Sequence, residues 1–248
     1  MQIKKHIPNT ITLLNLACGL LAVIAIFRDQ EAEAFWFVCL GIFFDFWDGF
    51  FARKFNVSGE LGLQLDSLAD MVTCGVVPGL MIFKLIENIQ TKYELSQYFL
   101  TEETWYMLFV PYLGFIVTLA SAYRLAKFNI DTRQTDSFIG LPTPANALLI
   151  MSLPMIRFSY EEEWLGMLIK NPFFLLIMAI LSAYLLNAEI PLFSLKIKEF
   201  TWAKYKMQIL FLIGSLFSFS LLGFVAIPLI IISYVLVSVI SNKMMAKA

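Results

Sequence analysis

Charge and histidine are what this chain has least of. Only 15% of its 248 residues are charged while 59% are hydrophobic, which leaves too little polar side chain to coat a water-soluble globule of this size. The composition argues against a soluble enzyme and for a chain whose solvent is the bilayer. A net charge of −1, with no long basic run and no aromatic RNA-binding signature, sets nucleic acid aside. The single histidine, His6, excludes a zinc site of the usual type. Three cysteines, Cys18, Cys39 and Cys74, lie far apart in apolar stretches, so they give no disulfide framework and read as small apolar fillers.

What is present is a series of apolar runs long enough to cross a hydrocarbon core of about 30 Å. They fall at 10–27, 34–54, 61–86, 104–129, 142–158, 172–188, 207–222 and 224–241, predicting an all-α polytopic membrane protein of about eight transmembrane helices. The last two share one apolar stretch, in which Gly223 and Pro228 offer a turn, so seven spans is the alternative count. The first run follows Lys4 and Lys5 as a signal peptide would, but it lacks a small-residue cleavage pattern and is read as a retained helix. With the N-terminus inside, thirteen of the 18 basic residues fall on inner segments, so both termini are expected in the cytoplasm. Residues 189–206 mix four lysines with Phe193, Phe200, Trp202 and Tyr205, as an interfacial helix or a cytoplasmic connector would.

Four aspartates do not fit a passive scaffold. Asp45 and Asp48 interrupt the second apolar run, and Asp66 and Asp70 interrupt the third, although each buried aspartate costs about 2.5–3.5 kcal/mol or more. Asp45, Asp48, Gly49 and Ala52 share one helical stripe, and Gly62, Asp66 and Asp70 share another. In an antiparallel hairpin turning near Asn56 to Gly59, Asp48 and Asp66 meet at one depth, with Asp45 and Asp70 about one turn deeper. Four converging carboxylates repel unless a cation sits among them, and an all-oxygen set suits Mg²⁺, Mn²⁺ or Ca²⁺, with a pair of ions the natural occupant. Gly49, Ala52 and Gly62 leave room on the same faces for a bulky group beside the ions.

These residues spell D-x2-D-G-x2-A-R-x8-G-x3-D-x3-D from Asp45 to Asp70, which resembles the signature of the CDP-alcohol phosphotransferase family with no departure at its eight fixed positions. The resemblance implies a core of six helices, here 1–188, followed by the connector 189–206 and a C-terminal hairpin at 207–241. It implies a CDP-linked lipid at a two-metal site open to the cytoplasm, and a homodimer as the default assembly. By matched position, Asp45, Asp48 and Asp66 look like metal ligands, Asp70 like the catalytic base with a share in metal binding, and Gly49, Ala52 and Gly62 like the nucleotide cradle. Arg53 is open between holding the nucleotide, pairing with an aspartate and anchoring a helix end.

Asn9, Thr12 and Asn15 stand at three-residue steps on one face of the first helix, where their donors could meet phosphate or sugar oxygens. Together with R-L-A-K-F-N at 124–129 and G-L-P-T-P-A-N at 140–146, this opening resembles the phosphatidylserine synthase branch of the family. That branch implies CDP-diacylglycerol and L-serine as substrates and CMP as product. Arg124 then suits the serine carboxylate, with Thr143 and Asn146 lining the acceptor pocket. Glycerol phosphate, inositol or its phosphate, and choline are the alternative acceptors within the family. The alternative of another class is an ion-coupled transporter with acids along its path. The expected residence is the cytoplasmic membrane of a prokaryote.

Overall fold

A computed structural model describes residues 2–57, 59–92, 105–131, 138–192 and 202–245. Helix α1 (Gln2–Phe27) runs into α2 (Glu31–Phe55) through a turn at Asp29, and α2 ends where Asn56 takes the left-handed conformation (φ 53°) and returns its N–H to the carbonyls of Ala52 and Arg53. Helix α3 (Glu60–Asp70) continues through a π-helical turn, Met71–Val76, into α4 (Val77–Lys92). A 3₁₀ stretch, Trp105–Phe115, leads into α5 (Ile116–Ile130), and after it come α6 (Thr143–Ser159), the short α7 (Trp164–Ile169) and α8 (Pro172–Asn187). Helices α9 (Trp202–Leu222) and α10 (Ala226–Met245) close the chain, bent at Gly223, which has φ 55°. The protein is an all-α polytopic membrane protein.

Among the described residues every predicted span is helical, but five stretches there are long and apolar enough by themselves to cross a membrane. The difference has two physical causes. Residues 208–240 form one unbroken apolar stretch, although Gly223 turns α10 back onto α9 so that the rings of Phe211 and Tyr234 meet at 5.7 Å, and α6 and α8 have 17 and 16 residues, which at about 1.5 Å per residue fall short of a 30 Å core. The stretch Glu60–Thr91 is the central one: 72% of its most apolar window is buried, against 39% or less for the others. The outward faces carry exposed Leu, Ile and Phe, among them Leu20, Phe46, Leu119, Ile177 and Leu216, as lipid-facing surfaces do.

One feature that periodicity does not reveal is a two-residue antiparallel pairing of β1 (Phe138–Ile139) with β2 (Pro191–Leu192). It ties the segment before α6 to the end of α8, and Gly140 (φ 76°) is required there, because a Cβ would lie 2.5 Å from the carbonyl oxygen of Leu186. The predicted connector 189–206 lies in large part outside the described residues; of it, Pro191–Leu192 forms β2 and residues 202–206 begin α9. Among the basic residues that set the orientation, Arg133, Lys196, Lys198 and Lys247 are also outside them.

Candidate active site

The hairpin of α2 and α3 brings three of the four aspartates together. One carboxylate oxygen each from Asp45, Asp48 and Asp66 lie within 4.8 Å of one another, and the carboxyl groups of Asp45 and Asp66 are in hydrogen-bonding contact. Asp70 stands aside from this triad, buried at 7% exposure, yet close enough for its charge to act on Asp45 and to feel Asp66. The α-helical stripe explains the arrangement: Asp66 and Asp70 are one turn apart on α3, and the turn at Asn56 sets the depth of Asp45 and Asp48 opposite them.

The first helix completes the cluster, and its role differs in kind from an open row of donors. Thr12 Oγ1 donates to Asp48 Oδ2 at 2.6 Å, and Asn15 Nδ2 donates to Asp70 Oδ1 at 3.2 Å. Both residues are buried, so two of the three polar side chains expected to face a ligand hold carboxylates instead. Asn9 is half-buried against α3, where a Cβ on Gly62 would sit 3.4 Å from Asn9 Oδ1. Gly49 faces the Arg53 guanidinium, 3.4 Å from Nη1 by the same measure, so this exposed arginine folds back along α2 beside Asp48, and Ala52 is half-buried next to it.

Arg124 of α5, 6% exposed, acts on Asp70 through its charge, with its guanidinium over the ring of Phe128 at 5.8 Å. Its Nε has no hydrogen-bond partner among the described residues. A guanidinium N–H left dry in this way is costly unless a ligand meets it. Thr143 and Asn146 are also buried, but they make no hydrogen bond to the aspartates or to Arg124 among the described residues; Asn146 Oδ1 accepts from Ser182 Oγ of α8 at 2.6 Å, and its Nδ2 is unpartnered. Sequence reading missed Ser67, whose hydroxyl accepts from Asn129 Nδ2 at 2.9 Å and links α3 to α5, and Thr73, which binds the backbone of α1. A hydroxyl placed within an apolar run was the available signal for both.

The donor set fits a divalent cation. Three carboxylate oxygens within 4.8 Å of one another offer hard oxygen ligands only, the hydrogen bonds from α1 to Asp48 and Asp70 come from neutral groups, and the guanidiniums of Arg53 and Arg124 balance only part of the charge of four carboxylates, which leaves room for a divalent cation.

Residues 5–240 match the family described as CDP-alcohol phosphatidyltransferase. The chain belongs to that family. It is 34% identical over 160 residues to the CDP-diacylglycerol–serine O-phosphatidyltransferase of Bacillus subtilis, covering 63% of this chain and 77% of that protein. It is 32% identical over 154 residues to the protein of the same name from Methanocaldococcus jannaschii and 30% identical over 156 residues to that from Helicobacter pylori. Those alignments cover 62% of this phosphatidyltransferase in each case, and 63% and 59% of the relatives. Members of the family depend on a divalent metal, and Asp45, Asp48 and Asp66 form the cluster that could hold one here.

Proposed function

We propose that this phosphatidyltransferase joins CDP-diacylglycerol to L-serine, releasing CMP and making phosphatidylserine. The observation that carries the reading is the carboxylate triad beside Asp70, together with the buried Arg124, whose charge acts on Asp70 and whose Nε has no hydrogen-bond partner among the described residues. The names of the relatives from Bacillus subtilis and Methanocaldococcus jannaschii support the choice of serine.

In this reading Asp45, Asp48 and Asp66 hold a pair of Mg²⁺ or Mn²⁺ ions, with Asp70 sharing in the set. When bound, the ions neutralise the diphosphate oxygens and the departing CMP. The chain's own residues do the rest. Asp70 accepts the proton of the serine hydroxyl as the new oxygen–phosphorus bond forms and the bond to CMP breaks. Arg124 pairs with the serine carboxylate through its planar fork, which brings the hydroxyl toward Asp70. Gly49, Ala52 and Gly62 keep the groove open to the nucleotide, Asn9 and Arg53 flank it, and Thr143 and Asn146 border the acceptor side. Thr12 and Asn15 serve the phosphate end by fixing Asp48 and Asp70. Burial of Asp70 and Arg124 excludes water that would compete with serine.

Residues 1–188 make the catalytic six-helix core, 189–206 the connector along the inner surface and 207–241 the C-terminal hairpin. The protein is a homodimer in the cytoplasmic membrane of a prokaryote, with both termini and the site on the cytoplasmic side. The test is a screen of acceptor alcohols. Purified protein given CDP-diacylglycerol and Mn²⁺ should release CMP when serine is added, and not with glycerol phosphate, inositol or choline; release with one of these and not with serine overturns the assignment.

A further inference from the structure

Asp70 is the last residue of α3, and the chain immediately leaves α-helical geometry for the six-residue π-turn Met71–Val76 before α4 resumes. A π-turn inserts one extra residue, which rotates everything before it by about 100° relative to everything after it. In an unbroken α-helix Asp70 and Met81, eleven residues and so about three turns apart, would share a stripe, and Met81 is fully buried in the apolar core. The inserted residue turns Asp70 off that stripe and toward α1. Something must hold the wider turn in place, because it gives up regular helical hydrogen bonds.

Thr73, in the middle of this turn and fully buried, donates through Oγ1 to the backbone oxygen of Asn15 at 3.1 Å. Asn15 in turn donates through Nδ2 to Asp70. The slot is cut to fit: a Cβ on Gly19 would fall 2.5 Å from Thr73 Oγ1, and one on Gly41 would fall 2.7 Å from Thr73 Cγ2 and 2.9 Å from Asn15 Oδ1. The chain from Asp70 to Thr73 and back through Asn15 is therefore a closed ring, anchored on α1 at one residue.

We infer that Thr73 is a positioning residue, which locks the π-turn onto Asn15 and thereby aims the Asp70 carboxylate at the acceptor hydroxyl. This rests on the role given to Asp70 above. Thr73 touches no substrate, so its loss acts on turnover and not on binding of the lipid.

The test compares Thr73→Val, which keeps the shape and removes the hydroxyl, with Thr73→Ser, which keeps the hydroxyl. Misplacing a reacting group by a fraction of an ångström to an ångström lowers turnover by about 10- to 100-fold. Thr73→Val should lose kcat by that factor with KM for CDP-diacylglycerol within about twofold of wild type, and Thr73→Ser should recover most of it. Asn15→Ala removes the amide that holds Asp70 and keeps the backbone oxygen that Thr73 bonds, and because both bonds aim one carboxylate, the losses from Thr73→Val and Asn15→Ala should combine to less than their product. Wild-type kcat in Thr73→Val, equal losses in the Val and Ser variants, or losses that multiply in the double variant would overturn the inference. Should Thr73→Val not fold, Thr73→Ala carries the same comparison. If wild-type protein releases CMP with another alcohol and not with serine, the serine reading fails, and the same variants measured with that alcohol decide the positioning role. Absence of CMP release with every alcohol overturns both.

Discussion

The two ends of the helical bundle treat acidic residues in opposite ways. At the end away from the aspartates, Glu31 receives Arg157 Nη2 on both carboxylate oxygens at 2.8 and 2.7 Å, which fastens the first turn of α2 to the last turn of α6. Lys84 reaches Asp29 at 3.5 Å and Glu87 at 3.1 Å, Asn88 Nδ2 donates to Asp29 at 3.3 Å, and Lys170 reaches Glu161 at 3.5 Å. Asp29, Glu31, Asn88, Arg157, Glu161 and Lys170 border an open cleft of about 420 Å³, yet its charges are already matched, with one another or with Lys84. At the other end the aspartates of the triad face one another, and α1 supplies only a hydroxyl and an amide. Matched charge fastens helices; unmatched charge waits for a ligand. The size of a cleft is a poorer guide to chemistry than the balance of charge around it.

Several measurements would break or sharpen this contrast. The largest effect should come from removing divalent cations: EDTA should abolish CMP release, Mn²⁺ or Mg²⁺ should restore it, and Mn²⁺ should raise the melting temperature of wild-type protein. Retained turnover in EDTA would contradict the metal-holding role of the triad. Next, Asp70→Asn should lower kcat by about 10²- to 10⁴-fold, the range for loss of a positioned general base, while nucleotide binding persists by calorimetry.

Stability should then respond with opposite sign at the two ends. Glu31→Gln removes one partner of a part-buried ion pair and should cost about 1–3 kcal/mol in unfolding free energy with kcat retained. Asp66→Asn in metal-free protein should raise the melting temperature, because it deletes one of several repelling charges and its amide can donate to Asp45. A drop in both variants would remove the distinction between the two ends. The smallest effect belongs to Lys170→Ala, whose solvent-exposed pairing with Glu161 should be worth about 1 kcal/mol or less by thermal unfolding.

The acidic half of the site was legible in the sequence because helical periodicity alone places Asp45, Asp48, Asp66 and Asp70 on facing stripes, and because aspartates inside apolar runs demand a reason. Its refinement was hidden. A π-turn leaves the hydropathy pattern of residues 61–86 almost unchanged, so the rotation of α3, with Asp66 and Asp70, relative to α4 has no signature in composition. Thr12 and Asn15 were correctly placed on one face, but which partner they meet depends on the approach of α1 to α3, a tertiary fact. The same holds for Glu31 and Arg157, 126 residues apart, and for the β1–β2 pairing, whose strands are too short to show alternation.

The bonds from Thr12 and Asn15 also make the site depend on the first helix. Helix α1 precedes all four aspartates in the chain, and until α2 and α3 pack against it Thr12 and Asn15 have neither Asp48 nor Asp70 to bond. The hairpin that carries all four acids thus packs onto a template that comes before it in the chain. A chain beginning after Phe27 would keep every aspartate and have nothing with which to steer two of them.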